Sequence, residues 1–257
     1  MTDFIMLLKE KTRAYRLLGV LFWIGVWQLA ALAVGQEFLL ASPLRVLHSL
    51  LGLLQNPDTY SIALRSTARI MLGFFAGAVF GIALAALSFR FSLAFQLASP
   101  LVSASRAVPV ASITILAIIL VSSAWLSTLI AFLIGFPVLY AGALEGMRTQ
   151  DPSLREMAGV FRVPANRRLL YLTLPQLMPH LRVSASVAMG MCWKSGVAAE
   201  VIGIPRGTIG EQLYGVKVNY LTADLFAWTV IIVLLSLMCA ALLRRGLECL
   251  DRRLKTL

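Results

Sequence analysis

From Leu225 to Leu243 the chain carries no charged side chain. A stretch of that kind satisfies its own backbone hydrogen bonds as one α-helix, and about 20 such residues cross the roughly 30 Å hydrocarbon core of a bilayer. Similar runs recur. Of the 257 residues, 59% are hydrophobic before the 18 glycines are added, and only 14% are charged, against roughly 25% in an average soluble domain. A soluble protein of this size could not bury so much apolar surface. Disorder, a disulfide framework and an ordinary cytosolic enzyme are excluded as leading readings. The chain reads as an all-α, polytopic membrane protein.

Six spans are expected, at about 17–34, 70–89, 108–122, 125–147, 183–203 and 225–243. The first follows Lys9, Lys11, Arg13 and Arg16, and Ala31-Leu32-Ala33 fits a signal-peptidase site. Its apolar run exceeds the 7–15 residues of a signal sequence, however, so it reads as a retained helix. Ser122-Ser123 is the expected tight connection between the third and fourth spans. Pro43 to Leu54 reads as a short amphipathic helix on the outer surface, and Phe91 to Arg106, with Pro100, as a broken inner or re-entrant piece. No internal repeat or second, soluble domain is visible, so a single membrane domain is expected over 1–257.

The 23 Lys+Arg and 12 Asp+Glu give a net charge of +11. With the N-terminus inside, segments 1–16, 89–106, 148–182 and 244–257 hold 17 of the basic residues. The outer segments hold five (Arg45, Arg65, Arg69, Arg206 and Lys217), and Lys194 lies within a span. This asymmetry is the positive-inside pattern. It accounts for the charge without nucleic acid and puts both termini in the cytoplasm. Cys192, Cys239 and Cys249 give neither a disulfide pattern nor metal-ligand spacing, and His48 and His180 are the only histidines. No metal site is expected.

Three further features stand out. Gly73, Gly77 and Gly81, continued by Ala85, put a smooth stripe on one helix face, where another backbone can approach closely. Lys194 and Glu200 lie inside the fifth span, where an ionisable group is costly and so a functional candidate. Six residues apart, they fall on different faces of a regular helix. Both are candidates for the solute path, Lys194 to attract an anionic solute; Lys194 could instead latch helices or snorkel to an interface. Glu200, nearer the outer end, is expected to be wet. The third feature is segment 148–182, which is Arg-rich yet keeps helical apolar spacing. It opens at Asp151-Pro152-Ser153, a helix start, and closes at Pro175 and Pro179. Such a hairpin could lie on anionic lipid or present a helix to a partner protein.

Within that segment, Glu156-Met157-Ala158 followed by Leu172-Thr173-Leu174-Pro175 resembles the EAA loop of binding-protein-dependent ABC importer permeases. The family pattern is Glu-Ala-Ala, three residues, Gly, nine residues, Ile, one residue, Leu-Pro. Glu156, Ala158, Leu174 and Pro175 match it, Met157 and Leu172 are mild changes, and Arg162 stands where the family has Gly. Arg106-Ala107-Val108-Pro109 and the Trp193 to Gly203 run are similar to the nitrate/sulfonate/taurine group. The resemblance implies the type I importer permease fold, with 148–182 as the coupling loop. Glu156, Met157, Ala158 and a helix around Phe161, Arg162 and Val163 would insert into a groove on the ATPase, and Pro175 would end the following helix.

The same resemblance implies a bacterial inner-membrane subunit without enzymatic activity. It would work with two ATPases that bind ATP and Mg, a second permease chain taken as an identical copy, and an extracytoplasmic solute-binding protein. The chain itself has no Gly-x-x-x-x-Gly-Lys-[Ser/Thr] loop; the nearest cluster, Gly203 to Gly210, lacks the Lys. A sulfonate, nitrate, taurine or a vitamin (thiamine) precursor would all suit the family as solute. A secondary carrier would be expected to show internal pseudo-symmetry, and a membrane-embedded enzyme a convergent set of acids, His or Cys. Neither is visible.

Overall fold

The computed structural model describes the backbone of residues 2–256, with the side chains of Tyr15 and of 18–253 apart from Asn166. Among these residues every regular element is helical. The order is α1 (Thr2–Val34), α2 (Pro43–Gln55), α3 (Pro57–Arg90), α4 (Ser92–Ala107), α5 (Val110–Leu120), α6 (Ser123–Arg148), α7 (Pro152–Val160), α8 (Ala165–Arg168), a π-helical turn (Leu169–Thr173), α9 (Leu174–Gly203), α10 (Ile209–Val218) and α11 (Thr222–Thr256).

Among the described residues, α3, α6 and Thr222–Arg253 of α11 are each long and apolar enough to cross a membrane, and Leu18–Val34 is a shorter apolar helix. Three expectations change here: α9, which holds the expected fifth span 183–203, is not among the helices apolar enough to cross by themselves. Segment 108–122 is not a span by itself: its helix, α5, has 11 residues, about 16 Å at 1.5 Å per residue. It passes the test only together with α4, from which it is bent by 105°. Nor is 91–106 broken at Pro100, since α4 runs through that residue. The break falls instead at Val108-Pro109, both extended, because a proline disfavours helical conformation in the residue before it.

Contacts group the chain into two units. Met1–Tyr60 with Leu213–Ile231 form the smaller, and Ser61–Gln212 with Ile232–Leu257 the larger. In the smaller unit the Trp27 indole N–H donates to the Ala41 carbonyl at 3.1 Å, and its ring lies 5.4 Å from that of Phe226. Ser49 bonds to Asp224, and Arg45 pairs with Glu37 at the surface. The α2 helix starts on Pro43, buries Val46 and leaves Leu44, Leu47, Leu51 and Leu54 exposed. That is the amphipathic pattern read from its sequence.

In the larger unit α6 is the central element. The glycine stripe of α3 lies on its backbone: a Cβ on Gly77 would sit 3.1 Å from the Phe136 nitrogen, and one on Gly81 would sit 2.7 Å from the Phe136 oxygen. Gly142 and Gly146 let α9 approach the other way, against Ser184, Leu177 and His180. Ala85, Ala98, Val102, Phe136, Tyr140, Ala143 and Leu144 form a core cluster beside these contacts. Arg182 on α9 pairs with Asp251 on α11 at 2.9 Å.

Candidate functional site

Segment 148–182 folds as two short helical pieces joined by a tight turn, anchored at its base. Asp151 caps α7: one carboxylate oxygen accepts from the Ser153 backbone N–H at 2.9 Å and the Ser153 hydroxyl at 2.7 Å. Those two bonds hold its carboxyl below the ordinary aspartate value. The Asp151 backbone N–H donates to Gln176 at 2.9 Å, and the Thr149 hydroxyl meets His180 at 3.2 Å. The loop's start is thereby tied to the start of α9. Cation–π contacts fasten its flank, with Arg148 4.3 Å from the Phe95 ring and Arg155 5.6 Å from that of Phe89.

The turn after α7 has two closing bonds. The Arg162 N–H donates to the Gly159 carbonyl at 3.1 Å, and the Val163 N–H reaches back to Ala158 at 3.0 Å. This is a Schellman closure, which wants a left-handed residue at the position Arg162 holds. Arg162 adopts it, with φ 53°. The departure from glycine leaves the turn in place, with an L side chain in a glycine conformation. Residues 161–163 are therefore the turn itself rather than the helix expected there.

Pro175 also differs from expectation. It does not end a helix, because α9 continues through it and through Pro179. The π turn explains this. The Leu174 N–H bonds five residues back, to Leu169, and a turn widened in this way relieves the clash between a proline ring and the carbonyl four residues before it.

Ala158 is 4% exposed, whereas Val160 (80%), Phe161 (75%) and Met157 (47%) are open at the tip. Glu156 and Arg162 are exposed, and Val163, Leu174 and Pro175 are half-buried. A cavity of about 510 Å³ between the two pieces is lined by Met157, Ala158, Val163, Arg167, Arg168, Tyr171 and Leu172. Small at 158, apolar at the tip and basic on the second piece, the loop can accept a protein surface. It holds no set of groups for bond-breaking chemistry.

The pair on α9 separates completely. Lys194 is exposed between buried Trp193 and buried Ser195. Glu200, expected to be wet, is 0% exposed. Its carboxylate accepts from the Ser66 hydroxyl at 2.7 Å and the Gly210 N–H at 3.3 Å, while Ser66 accepts from the Ile209 N–H at 2.9 Å. No periodic pattern along the chain marks Ser66, Ser127, Arg69 or Gly210. They come from two separate helices, α3 and α6, and the start of a third, α10, and only the fold brings them to Glu200 on α9.

Several apolar helices of bilayer length, together with a charged, anchored loop, fit a multi-pass membrane protein. Residues 77–256 match the profile of the binding-protein-dependent transport system inner membrane component family, and the chain belongs to it. A protein named for aliphatic sulfonates transport, the permease SsuC of Bacillus subtilis (strain 168), is 26% identical over 212 residues, covering 81% of this chain and 76% of its own. An ABC transporter permease protein of Brucella melitensis is 26% identical over 239 residues, covering 93% and 94%. The taurine transport system permease TauC of Escherichia coli (strain K12) is 25% identical over 234 residues, covering 89% and 83%. The chain is thus an ABC transporter permease component, a multi-pass inner-membrane protein with ATPase and binding-protein partners implied by its family.

Proposed function

We propose that this chain forms the solute path of an ATP-driven importer for a small anionic solute of the sulfonate, taurine or nitrate type. With α4 and α5 taken together as the third of six spans, both termini and the 148–182 loop lie in the cytoplasm on this reading. There the loop docks on one of two ATPases, which bind the ATP and Mg. A second, identical permease chain completes the path, and an extracytoplasmic binding protein delivers the solute. The names of the relatives support the solute class, and the 17-to-5 split of basic residues supports the orientation.

The observation that carries the coupling role is the loop tip. Val160 and Phe161 are left open on a segment whose base is firmly tied and whose flanks carry arginine. Large apolar side chains held out on a rigid turn suit burial in a groove on a partner. Phe161→Ala should release the ATPase. Ala158→Asp should do so too, by disrupting the loop, because an unpaired charge buried between its two pieces costs several kcal/mol. Both variants should still insert in the membrane, since no span is altered, yet lose the co-purifying ATPase and transport. Wild-type ATPase stoichiometry with intact uptake would sink the coupling role. In the same uptake assay Lys194→Met should lower transport while the complex and its ATP hydrolysis persist, as a path-lining cation requires. Unchanged uptake would remove Lys194 from the path.

A further inference from the structure

Around Glu200, three buried polar atoms have no protein partner among the described residues: Glu200 Oε1, Ser127 Oγ and Arg69 Nη1. They belong to one place: Ser66, one turn before Arg69 on α3, bonds to Glu200 at 2.7 Å, and Thr128, next to Ser127 on α6, bonds to the Arg69 carbonyl at 3.0 Å. They also come from three helices, α9, α6 and α3. Buried polar groups are nearly always satisfied, by protein or by ordered water, and each exception needs an explanation.

Their chemistry names the missing partner. The Arg69 nitrogen can only donate, the carboxylate oxygen can only accept, and the hydroxyl can do either. A single water can accept from Arg69, donate to Glu200 and share a bond with Ser127, and three is the usual number for a buried water. A metal ion would face the guanidinium charge. A second carboxylate, which Arg69 could also take, would face Glu200.

We propose that Arg69, Ser127 and Glu200 hold a bound water that completes an ion pair, and that this water-bridged pair latches the start of α10 onto α3, α6 and α9. The other carboxylate oxygen already makes the connection. It takes the Gly210 N–H directly and the Ile209 N–H through the Ser66 hydroxyl. Of the first two amides of α10, one thus donates to a carboxylate and the other to the hydroxyl bonded to it, so negative charge sits where a helix N-terminus favours it. Gly210 is required for it, since a Cβ there would collide with the Glu200 backbone and Cβ. Between Glu200 and α10 the chain is strained, with Ile204 at φ 45°. A β-branched residue persists in that region only where its surroundings hold it. Glu200 on this reading is a positioning residue for the α9–α10 connection, and solute does not touch it. The latch rests on the buried cluster and stands whatever the solute or the ATPase contact proves to be.

Ile209 is 0% exposed, so a thiol placed there reports on latch opening. In full-length protein in native membranes, with Cys192, Cys239 and Cys249 replaced, Ile209→Cys should react slowly with a small thiol reagent. Glu200→Gln or Arg69→Gln should each speed that reaction at least about tenfold, the scale on which a charge-assisted bond holds a state closed. Because both remove the same interaction, the double variant should react no faster than the faster single one. Ser127→Ala, which keeps both charges and removes one partner of the water, should give an intermediate rate, and it decides the matter if the charge variants fail to insert. Rates that multiply in the double variant, or a Ser127→Ala rate equal to the parent's, would overturn the bridged latch. Neither result would bear on ATPase release by Phe161→Ala, so the two readings fail separately.

Discussion

Arg162 shows how one position can keep a family's shape without its residue. A left-handed backbone costs an L residue roughly 1–2 kcal/mol, and the two closing bonds to Ala158 and Gly159 hold it there. Arg162→Gly removes that cost, while glycine's larger unfolded-state entropy takes part of the gain back. The net expectation is a stabilisation of roughly 0.5–1 kcal/mol, confined to the turn. Hydrogen exchange is the measurement. The Val163 amide, which closes the turn, should exchange about threefold more slowly in Arg162→Gly. Faster exchange would mean that the arginine side chain supports the turn by contacts of its own. Glu200 teaches the opposite lesson. Its position near one end of a span suggested water, yet its burial depends on Ser66, Ser127 and Gly210, which lie 134, 73 and 10 residues away along the chain. No local pattern records such a gathering.

At the scale of the element, periodic patterns transferred well and breaks did not. The stripe of Gly73, Gly77 and Gly81 was legible because its spacing is helical and close packing has few other uses for it; the structure sets it on the α6 backbone. Backbone cannot give way as a flexible side chain can. Gly81→Ala should therefore force the helices apart, destabilising the protein by about 1–3 kcal/mol. Gly190→Ala, where a Cβ meets nothing within 4 Å, should be neutral or slightly stabilising. Thermal unfolding in detergent separates them, and equal midpoints would show that the α3–α6 contact is not tight. The prolines were less legible. Pro100 and Pro179 lie inside helices, and Pro175 follows a π turn, because a helix packed on neighbours can absorb a missing N–H that an isolated one could not. The 105° bend at Val108-Pro109 and the resulting short α5 were hidden for the same reason. A proline in sequence says that something yields, without saying which turn.

For the whole molecule, composition and charge were the clearest signals, since they sum over many residues and tolerate local errors. The proposed orientation is checked by labelling intact cells with a membrane-impermeant thiol reagent after the native cysteines are removed. Gln55→Cys and Val218→Cys, both exposed, should react, and Ala165→Cys should not. Reaction at Ala165→Cys alone would invert the topology.

The length of α3 carries a consequence for how it sits in lipid. Its 34 residues extend about 51 Å, some 20 Å beyond the hydrocarbon thickness. The twenty residues from Ile70 to Phe89 contain no charge and match that thickness by themselves. Asp58, Arg65 and Arg69 all lie in the excess at one end, and Arg90 closes the other. This helix can therefore rest in lipid without holding a charge among the acyl chains. Arg65 and Arg90, both exposed, lie beyond that stretch and can keep their hydration, while Arg69 turns a buried nitrogen inward.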